Sequence, residues 1–149
     1  MLKNKKIVFS IVSMGKGGAE RVVSILANSL SDENDVTIIT LVNEKIEYKL
    51  NDNIKVVQLA NEQKVKSKVL KKILFGYNFL KRFIKLKKTF NSINPDIIIS
   101  FLPEMTFMSI MANNKKYKMI ISDRNDPKRE YTSKLYNFLM FFYFLNHIL

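Results

Sequence analysis

The sequence predicts an α/β domain, a Rossmann-like parallel sheet with helices on both faces. Three observations point there. Short β-branched runs, Ile7–Val12, Val36–Leu41 and Ile97–Phe101, are apolar on nearly every position, as strands covered on both faces are. Segments with apolar residues at helical spacing lie between them, giving the strand–helix alternation of a parallel sheet. A glycine cluster, Gly15, Gly17 and Gly18, separates the first run from the first helical segment.

Taken in order, Ile7-Val8-Phe9-Ser10-Ile11-Val12 is the first strand. It follows a basic start, but Ser10, Ser13 and the glycines break the apolar run and no small-residue cleavage site follows, so a first strand is expected here in place of a signal peptide. Ala19–Leu30 is a helix with Val22, Val23, Leu26, Ala27 and Leu30 at helical spacing, ended by the polar residues Asp32 to Asp35. Val36–Leu41 completes a βαβ unit, and Ile54–Leu59 is a shorter third strand. The stretch Val65 to Ile93 is helical, and Gly76 is placed to split it in two. Val69, Ile73, Tyr77, Leu80 and Ile84 make one stripe, with Phe79, Phe83, Leu86 and Phe90 beside it. Pro95-Asp96 restarts the chain into the buried strand Ile97–Phe101, with Asp96 as a strand-entry residue. A helix over Glu104–Asn113, a strand over Met119–Ser122 and a last helix over Lys134–Phe144 follow.

The chain has 149 residues and a formal net charge of +12, the size of one ordinary domain. Such a basic excess favours polyanionic partners: nucleic acid, an anionic membrane, or phosphate-bearing small molecules. Lysine outnumbers arginine, which favours diffuse attraction over bidentate recognition. No helix-turn-helix, RNP or zinc pattern is present, so nucleic acid is not the expected partner. There is no cysteine, which removes disulfides, thiolate chemistry and cysteine–zinc sites together. No stretch reaches the roughly 18 to 20 apolar residues that span a bilayer. The aromatic tail Leu135–Leu149 is broken by Asn137, Asn146 and His147.

Ser13-Met14-Gly15-Lys16-Gly17-Gly18-Ala19-Glu20-Arg21 joins a buried strand to an amphipathic helix. Glycines there allow positive φ and close approach of a ligand to main-chain N–H groups, and the helix start attracts a phosphate. A tight connection without a ligand is the plain alternative. The dinucleotide fingerprint Gly-x-Gly-x-x-Gly is not met, because Glu20 holds its last position and Glu44 sits in a loop. No Gly-Lys-Ser/Thr closes a P-loop. Spacing alone therefore gives an anion near a helix start.

Gly17-Gly18-Ala19-Glu20-Arg21-Val22 after a first strand resembles a signature of family 4 glycosyltransferases, retaining enzymes of the GT-B fold that build capsular, lipopolysaccharide and protein-linked glycans. Three further segments agree in order. Pro95-Asp96-Ile97-Ile98-Ile99-Ser100-Phe101-Leu102 is similar to the family's PDxxxSF segment. Ile120-Ile121-Ser122-Asp123-Arg124-Asn125-Asp126-Pro127 is similar to the RNDP turn of one subgroup, and Tyr136-Asn137-Phe138-Leu139 to the helix after it. The resemblance covers essentially the whole chain and implies the amino-terminal, acceptor-side domain of such an enzyme.

That resemblance implies donor phosphates near Gly17 and Gly18, and an acceptor cleft formed by Glu104, Asp123, Arg124, Asn125 and Asp126 at the carboxyl ends of the fourth and fifth strands. Many relatives carry a histidine where Arg124 stands; arginine clamps an anion but shuttles no proton. Equally, Arg124 could pair with Asp123, Asp126 or Glu130 to fix the turn. No catalytic residue is assigned. The implied partners are a nucleotide-sugar and a glycolipid or other lipid-linked or polysaccharide acceptor, with no metal or resident cofactor. The donor-binding domain, with its Glu-x7-Glu pair, is missing, so a chain cut short near 135–149 and inactive alone is expected. A non-catalytic acceptor- or membrane-binding module working with a separate donor domain is the alternative.

Between Gln63 and Pro95 there is no acidic residue, while Lys71, Lys72, Lys81, Arg82, Lys85 and Lys88 are interleaved with apolar residues. Such a helix suits an anionic bilayer, which with the resemblance gives a cytoplasmic protein held peripherally on the inner face of the cell membrane. A solvated lysine face over a core-facing stripe is the alternative. His147 is not expected to be catalytic, and Met105, Met108 and Met111 are expected in the core.

Overall fold

The structure is a computed structural model that describes residues 3–59 and 68–122, with the side chains of the long helix described from Tyr77 onward. The elements run β1 (Lys6–Ile11), α1 (Gly18–Ser31), β2 (Asp35–Thr40), β3 (Lys55–Gln58), α2 (Lys68–Ile93), β4 (Ile97–Phe101), α3 (Pro103–Asn113) and β5 (Lys118–Ser122). The strands form one five-stranded sheet in the order β3-β2-β1-β4-β5. Every pairing is parallel, with Ile7 opposite Val36 and Ile97, and Ile97 opposite Lys118.

Strand side chains alternate between faces, and both faces are covered. Ile7, Phe9, Ile11, Val36, Ile38 and Phe101 pack with Val23 and Ala27 of α1. Val8, Ile39, Leu41 and Ile98 pack with Leu86 and Phe90 of α2 and Met105, Met108 and Ala112 of α3. The continuous apolar runs of β1, β2 and β4 follow from this double coverage. Met111 differs from the expectation: it is 40% exposed, while Met105 and Met108 are buried.

Two hydroxyl pairs lie inside the second of these cores. Ser109 donates to Ser10 at 3.0 Å and Thr106 to Ser100 at 3.1 Å, tying α3 to the paired positions Ser10 and Ser100 of β1 and β4. Asp96 closes the amino edge of the sheet. Its Oδ2 accepts from the Lys6 N–H at 2.8 Å and its Oδ1 faces Lys5 at 3.5 Å, so it is the strand-entry residue the sequence suggested.

α2 differs from the sequence expectation in two ways. It is one helix, running through Gly76 without a break. Its two apolar stripes also have opposite fates. Phe79, Phe83, Leu86 and Phe90 face the core, and Phe79 stacks on Phe107 of α3 with ring centroids 6.4 Å apart. Tyr77, Leu80 and Ile84 stand in solvent, 61%, 55% and 45% exposed.

Candidate functional site

Ligands of open parallel sheets bind outside the carboxyl ends of the strands. Here that edge is built from the glycine turn after β1, the 41–54 segment after β2, and the β4–α3 elbow. The turn is anchored from below by Met14, which is fully buried in the α1-side core. α1 begins at Gly18, with Gly17 as its N-cap and no side-chain cap. The first helical turn leaves the N–H groups of Gly18, Ala19 and Glu20 without an intrahelical acceptor.

The glycines serve close approach and not a left-handed turn. No described glycine has positive φ, and Gly17 is extended at φ −164, which corrects the sequence expectation on this point. A Cβ on Gly15 would stand 3.1 Å from the Glu44 carboxylate, and one on Gly17 would collide with the carboxylate of Glu20. At Gly18 nothing lies within 4 Å of that position. Gly18 is thus the open point of the turn, while Gly15 and Gly17 make room for the protein's own carboxylates.

The segment after β2 folds back over this turn. Its backbone bonds Val42 N–H to Val12 O at 3.1 Å and Glu47 N–H to Met14 O at 3.0 Å. The Tyr48 hydroxyl donates to Gly17 O at 2.9 Å, the carbonyl that also accepts the Arg21 N–H at 3.1 Å. With its carbonyl held from two sides, the Gly17–Gly18 peptide has a fixed plane. Further along, Asn51 N–H donates to the Asn28 side chain at 2.9 Å and Asn53 Nδ2 to Ser31 O at 2.7 Å, so the segment is pinned to α1. Sequence reasoning missed Tyr48, and placed Glu44 in a loop without its contact at Gly15, because these contacts join a non-periodic segment to a turn some thirty positions away.

At the β4–α3 elbow Leu102 is the N-cap of α3, with φ 66 and ψ 141. This lies outside the left-handed helical well, in territory that glycine alone enters readily. Pro103 fixes the first helical position, and Glu104 is exposed in the first turn of α3. The described part of the predicted acceptor cleft is therefore Glu104. Asp123, Arg124, Asn125 and Asp126 lie outside the described residues, as does the predicted helix over Lys134–Phe144.

The predicted membrane-facing cations separate. Lys81 and Lys88 are exposed on the outer side of α2. Arg82 is half-buried, and Lys85 donates to Gln58 O at 2.9 Å and Leu59 O at 3.2 Å, so it caps the end of β3. The side chains of Lys71 and Lys72 lie outside the described residues. No helix among the described residues is long and apolar enough to cross a membrane.

Comparison with known proteins decides the family. The pattern of the family described as Glycosyl transferase 4-like matches residues 14–124, from the glycine turn to the end of β5 and just beyond. The chain belongs to that family. Among relatives in this family, a Campylobacter jejuni subsp. jejuni serotype O:2 protein is 34% identical over 122 residues, 81% of this chain and 33% of its own length. It is GalNAc-alpha-(1->4)-GalNAc-alpha-(1->3)-diNAcBac-PP-undecaprenol alpha-1,4-N-acetyl-D-galactosaminyltransferase. A second transferase from the same organism, N-acetylgalactosamine-N,N'-diacetylbacillosaminyl-diphospho-undecaprenol 4-alpha-N-acetylgalactosaminyltransferase, is 28% identical over 91% of this chain and 36% of its own length. The chain spans about a third of the length of both curated relatives. Among solved structures, the lipopolysaccharide outer core galactosyltransferase WaaB in its apo form matches with a TM-score of 0.64 at 16% identity, over 91% of this chain and 37% of that one. A UDP-N-acetylglucosamine 2-epimerase matches with a TM-score of 0.51 at 12% identity, over 93% of this chain and 38% of that one. The shared fold is thus the Rossmann-like sheet of GT-B glycosyltransferases, and the epimerase shows that this sheet alone does not select transfer.

Proposed function

We propose that this chain is the acceptor-side part of a retaining glycosyltransferase that moves a sugar from a nucleotide-sugar to a lipid-linked acceptor in bacterial surface glycan synthesis. The observation that carries the proposal is the 34% identity to a transferase whose acceptor is an undecaprenyl-diphosphate-linked sugar. The geometry supports it: the open glycine, Gly18, and the exposed Glu104 both belong to the carboxyl edge of one sheet. In this reading Gly17 and Gly18 approach the donor diphosphate through main-chain N–H groups. Glu104, and Asp123 to Asp126 beyond β5, meet the acceptor, and no metal takes part.

The chain alone carries no transfer in this proposal, because the donor has one wall of its cleft here and needs a second domain for the other. Activity then requires that domain, whether in the same polypeptide or a separate one. The protein works from the cytoplasm, held peripherally at the membrane that contains its acceptor.

The test is to mix the purified chain with UDP-N-acetylgalactosamine and an undecaprenyl-diphosphate-linked glycan. Acceptor binding is followed by calorimetry and product by mass spectrometry. Binding without product is expected. Sugar transfer by this chain alone overturns the half-enzyme reading, and absence of acceptor binding overturns the acceptor-side assignment.

A further inference from the structure

Tyr48 gives its hydroxyl to a carbonyl that the fold has already satisfied. Gly17 O accepts the Arg21 N–H at 3.1 Å, and the Tyr48 hydroxyl donates to the same oxygen at 2.9 Å. A carbonyl with one partner is not orphaned, so folding does not require the second. The segment that carries Tyr48 does not require it either. On one side of Tyr48 the Glu47 N–H donates to Met14 O at 3.0 Å. On the other, Lys49 O accepts from Asn28 Nδ2 at 3.0 Å, and Ile46 and Leu50 pack on the α1-side core. With both its neighbours tied down, Tyr48 stays at the turn whether or not its hydroxyl is bonded.

What the hydroxyl does change is the Gly17–Gly18 peptide. Two adjacent glycines have no Cβ to restrict their dihedrals, so this peptide has little intrinsic hold on its own orientation. In a trans peptide the C=O and the N–H point in opposite directions. A carbonyl held by Arg21 along α1 and by Tyr48 from the side therefore aims the Gly18 N–H out of the helix start, where no intrahelical acceptor meets it. The space beside Gly18 is open, whereas Glu44 stands beside Gly15 and Glu20 beside Gly17. Donation to the carbonyl oxygen also polarises the amide and makes its N–H a stronger donor, as in any chain of hydrogen bonds.

We propose that Tyr48 is a positioning residue for the diphosphate of a nucleotide-sugar: its hydroxyl fixes and polarises the Gly17–Gly18 peptide, so that the Gly18 N–H donates to a phosphate oxygen. This rests on the donor-phosphate reading of the glycine turn given above, and adds the residue that prepares the amide. Tyr48 itself touches no phosphate in this arrangement. It acts from the carbonyl side of the peptide and leaves the N–H side free. A donor set in place before the ligand arrives needs no ordering when it binds, and at a pair of glycines that ordering has to come from outside the pair.

The experiment is a titration of UDP into the isotope-labelled full chain, with the Gly18 amide followed by NMR in the parent, in Tyr48→Phe and in Asn53→Ala. Tyr48→Phe keeps the ring and removes the hydroxyl. Asn53→Ala removes a different bond of the same segment, that of Asn53 Nδ2 to Ser31 O at 2.7 Å, and leaves Tyr48 in place. Circular dichroism establishes that each variant is folded. Before ligand is added, the Gly18 amide resonance is expected to move, and its order parameter to fall, in Tyr48→Phe and not in Asn53→Ala. UDP is expected to bind the parent in the millimolar range and to displace the Gly18 resonance. Tyr48→Phe is expected to weaken that binding about fivefold, the value of one net hydrogen bond, and Asn53→Ala to leave it unchanged.

UDP binding by Tyr48→Phe as tight as that of the parent overturns the inference and leaves the donor reading of the turn intact. An equal loss in Asn53→Ala also overturns it, by showing that the segment acts only as a whole. A Gly18 amide unchanged in ligand-free Tyr48→Phe overturns it at its source, because the peptide was then not held by the hydroxyl. UDP that perturbs no residue of the turn in the parent overturns the donor-phosphate reading itself, and the inference falls with it.

Discussion

Leu102 offers a test in which the usual order of substitutions is reversed. Its backbone, at φ 66 and ψ 141, costs a non-glycine residue about 1–3 kcal/mol. Its side chain is half-buried and packs against the α1-side core, worth about 1 kcal/mol at half the value of a fully buried leucine. Leu102→Ala gives up that packing and keeps the strain, so it loses about 1 kcal/mol. Leu102→Gly gives up the same packing and adds an unfolded-state entropy cost of about 0.5–1 kcal/mol, but releases the strain. Glycine is therefore expected to exceed alanine by about 1 kcal/mol and to lie near the parent. At positions of ordinary negative φ in helices and strands glycine is the worse of the two. Urea denaturation followed by far-UV circular dichroism measures the order, and melting should separate the two variants by about 3 °C for a chain of this size. Alanine equal to or above glycine would refute the strain at the elbow.

Two further outcomes follow from contacts remote from the cleft. Ser109→Ala leaves the buried Ser10 hydroxyl without its 3.0 Å partner and is expected to cost about 1–2 kcal/mol, while the double change of Ser10 and Ser109 to alanine costs less than the sum of the singles; additive losses in a denaturation cycle would show that the pair is not coupled. The Lys6 N–H, followed by Lys5, holds the Asp96 carboxyl below its ordinary value of 3.8. A lowered folded value stabilises the fold above the unfolded pKa and fades as pH falls through the folded one. Asp96→Ala is therefore expected to destabilise by a constant amount above about pH 5, with the gap to the parent closing below about pH 4; a gap independent of pH down to 2 would contradict it.

Much of the fold was legible because its three central strands are buried on both faces. Ile7–Val12, Val36–Leu41 and Ile97–Phe101 have no polar face to obscure them, and the structure places strands there within a residue or two. Asp96 was legible for a similar reason, since a carboxylate before a buried run has backbone N–H groups to accept from. α2 was less so. Both of its stripes are apolar, and periodicity does not say which of two apolar stripes a sheet covers. The glycine turn was located correctly but read with the wrong geometry: its glycines admit neighbouring carboxylates, and composition does not distinguish room for a side chain from freedom of φ. Leu102 gave no signal, because leucine is not a residue chosen for positive φ. Tyr48 and Lys85 serve main-chain carbonyls far away in sequence, and such contacts exist only after the sheet is assembled.

The two carboxylates at the glycine turn bear on how much of a donor site this chain supplies. The helix start and the open Gly18 favour an anion, yet Glu44 lies against Gly15 and Glu20 against Gly17. A phosphate brought within about 4 Å of either carboxylate meets a repulsion of about 1 kcal/mol in bulk water and about 4 kcal/mol at an effective dielectric of 20. Glu44 is exposed and Glu20 half-buried, so both side chains have solvent to turn into and the repulsion is avoidable. It is not offset from within the turn, where Lys16 and Arg21 are exposed and their charge is screened by water. A diphosphate held tightly at Gly18 therefore needs cations and water exclusion from an opposing surface. That requirement, set by electrostatics at the turn, is the physical reason to expect the proposed donor site to be completed by a second domain.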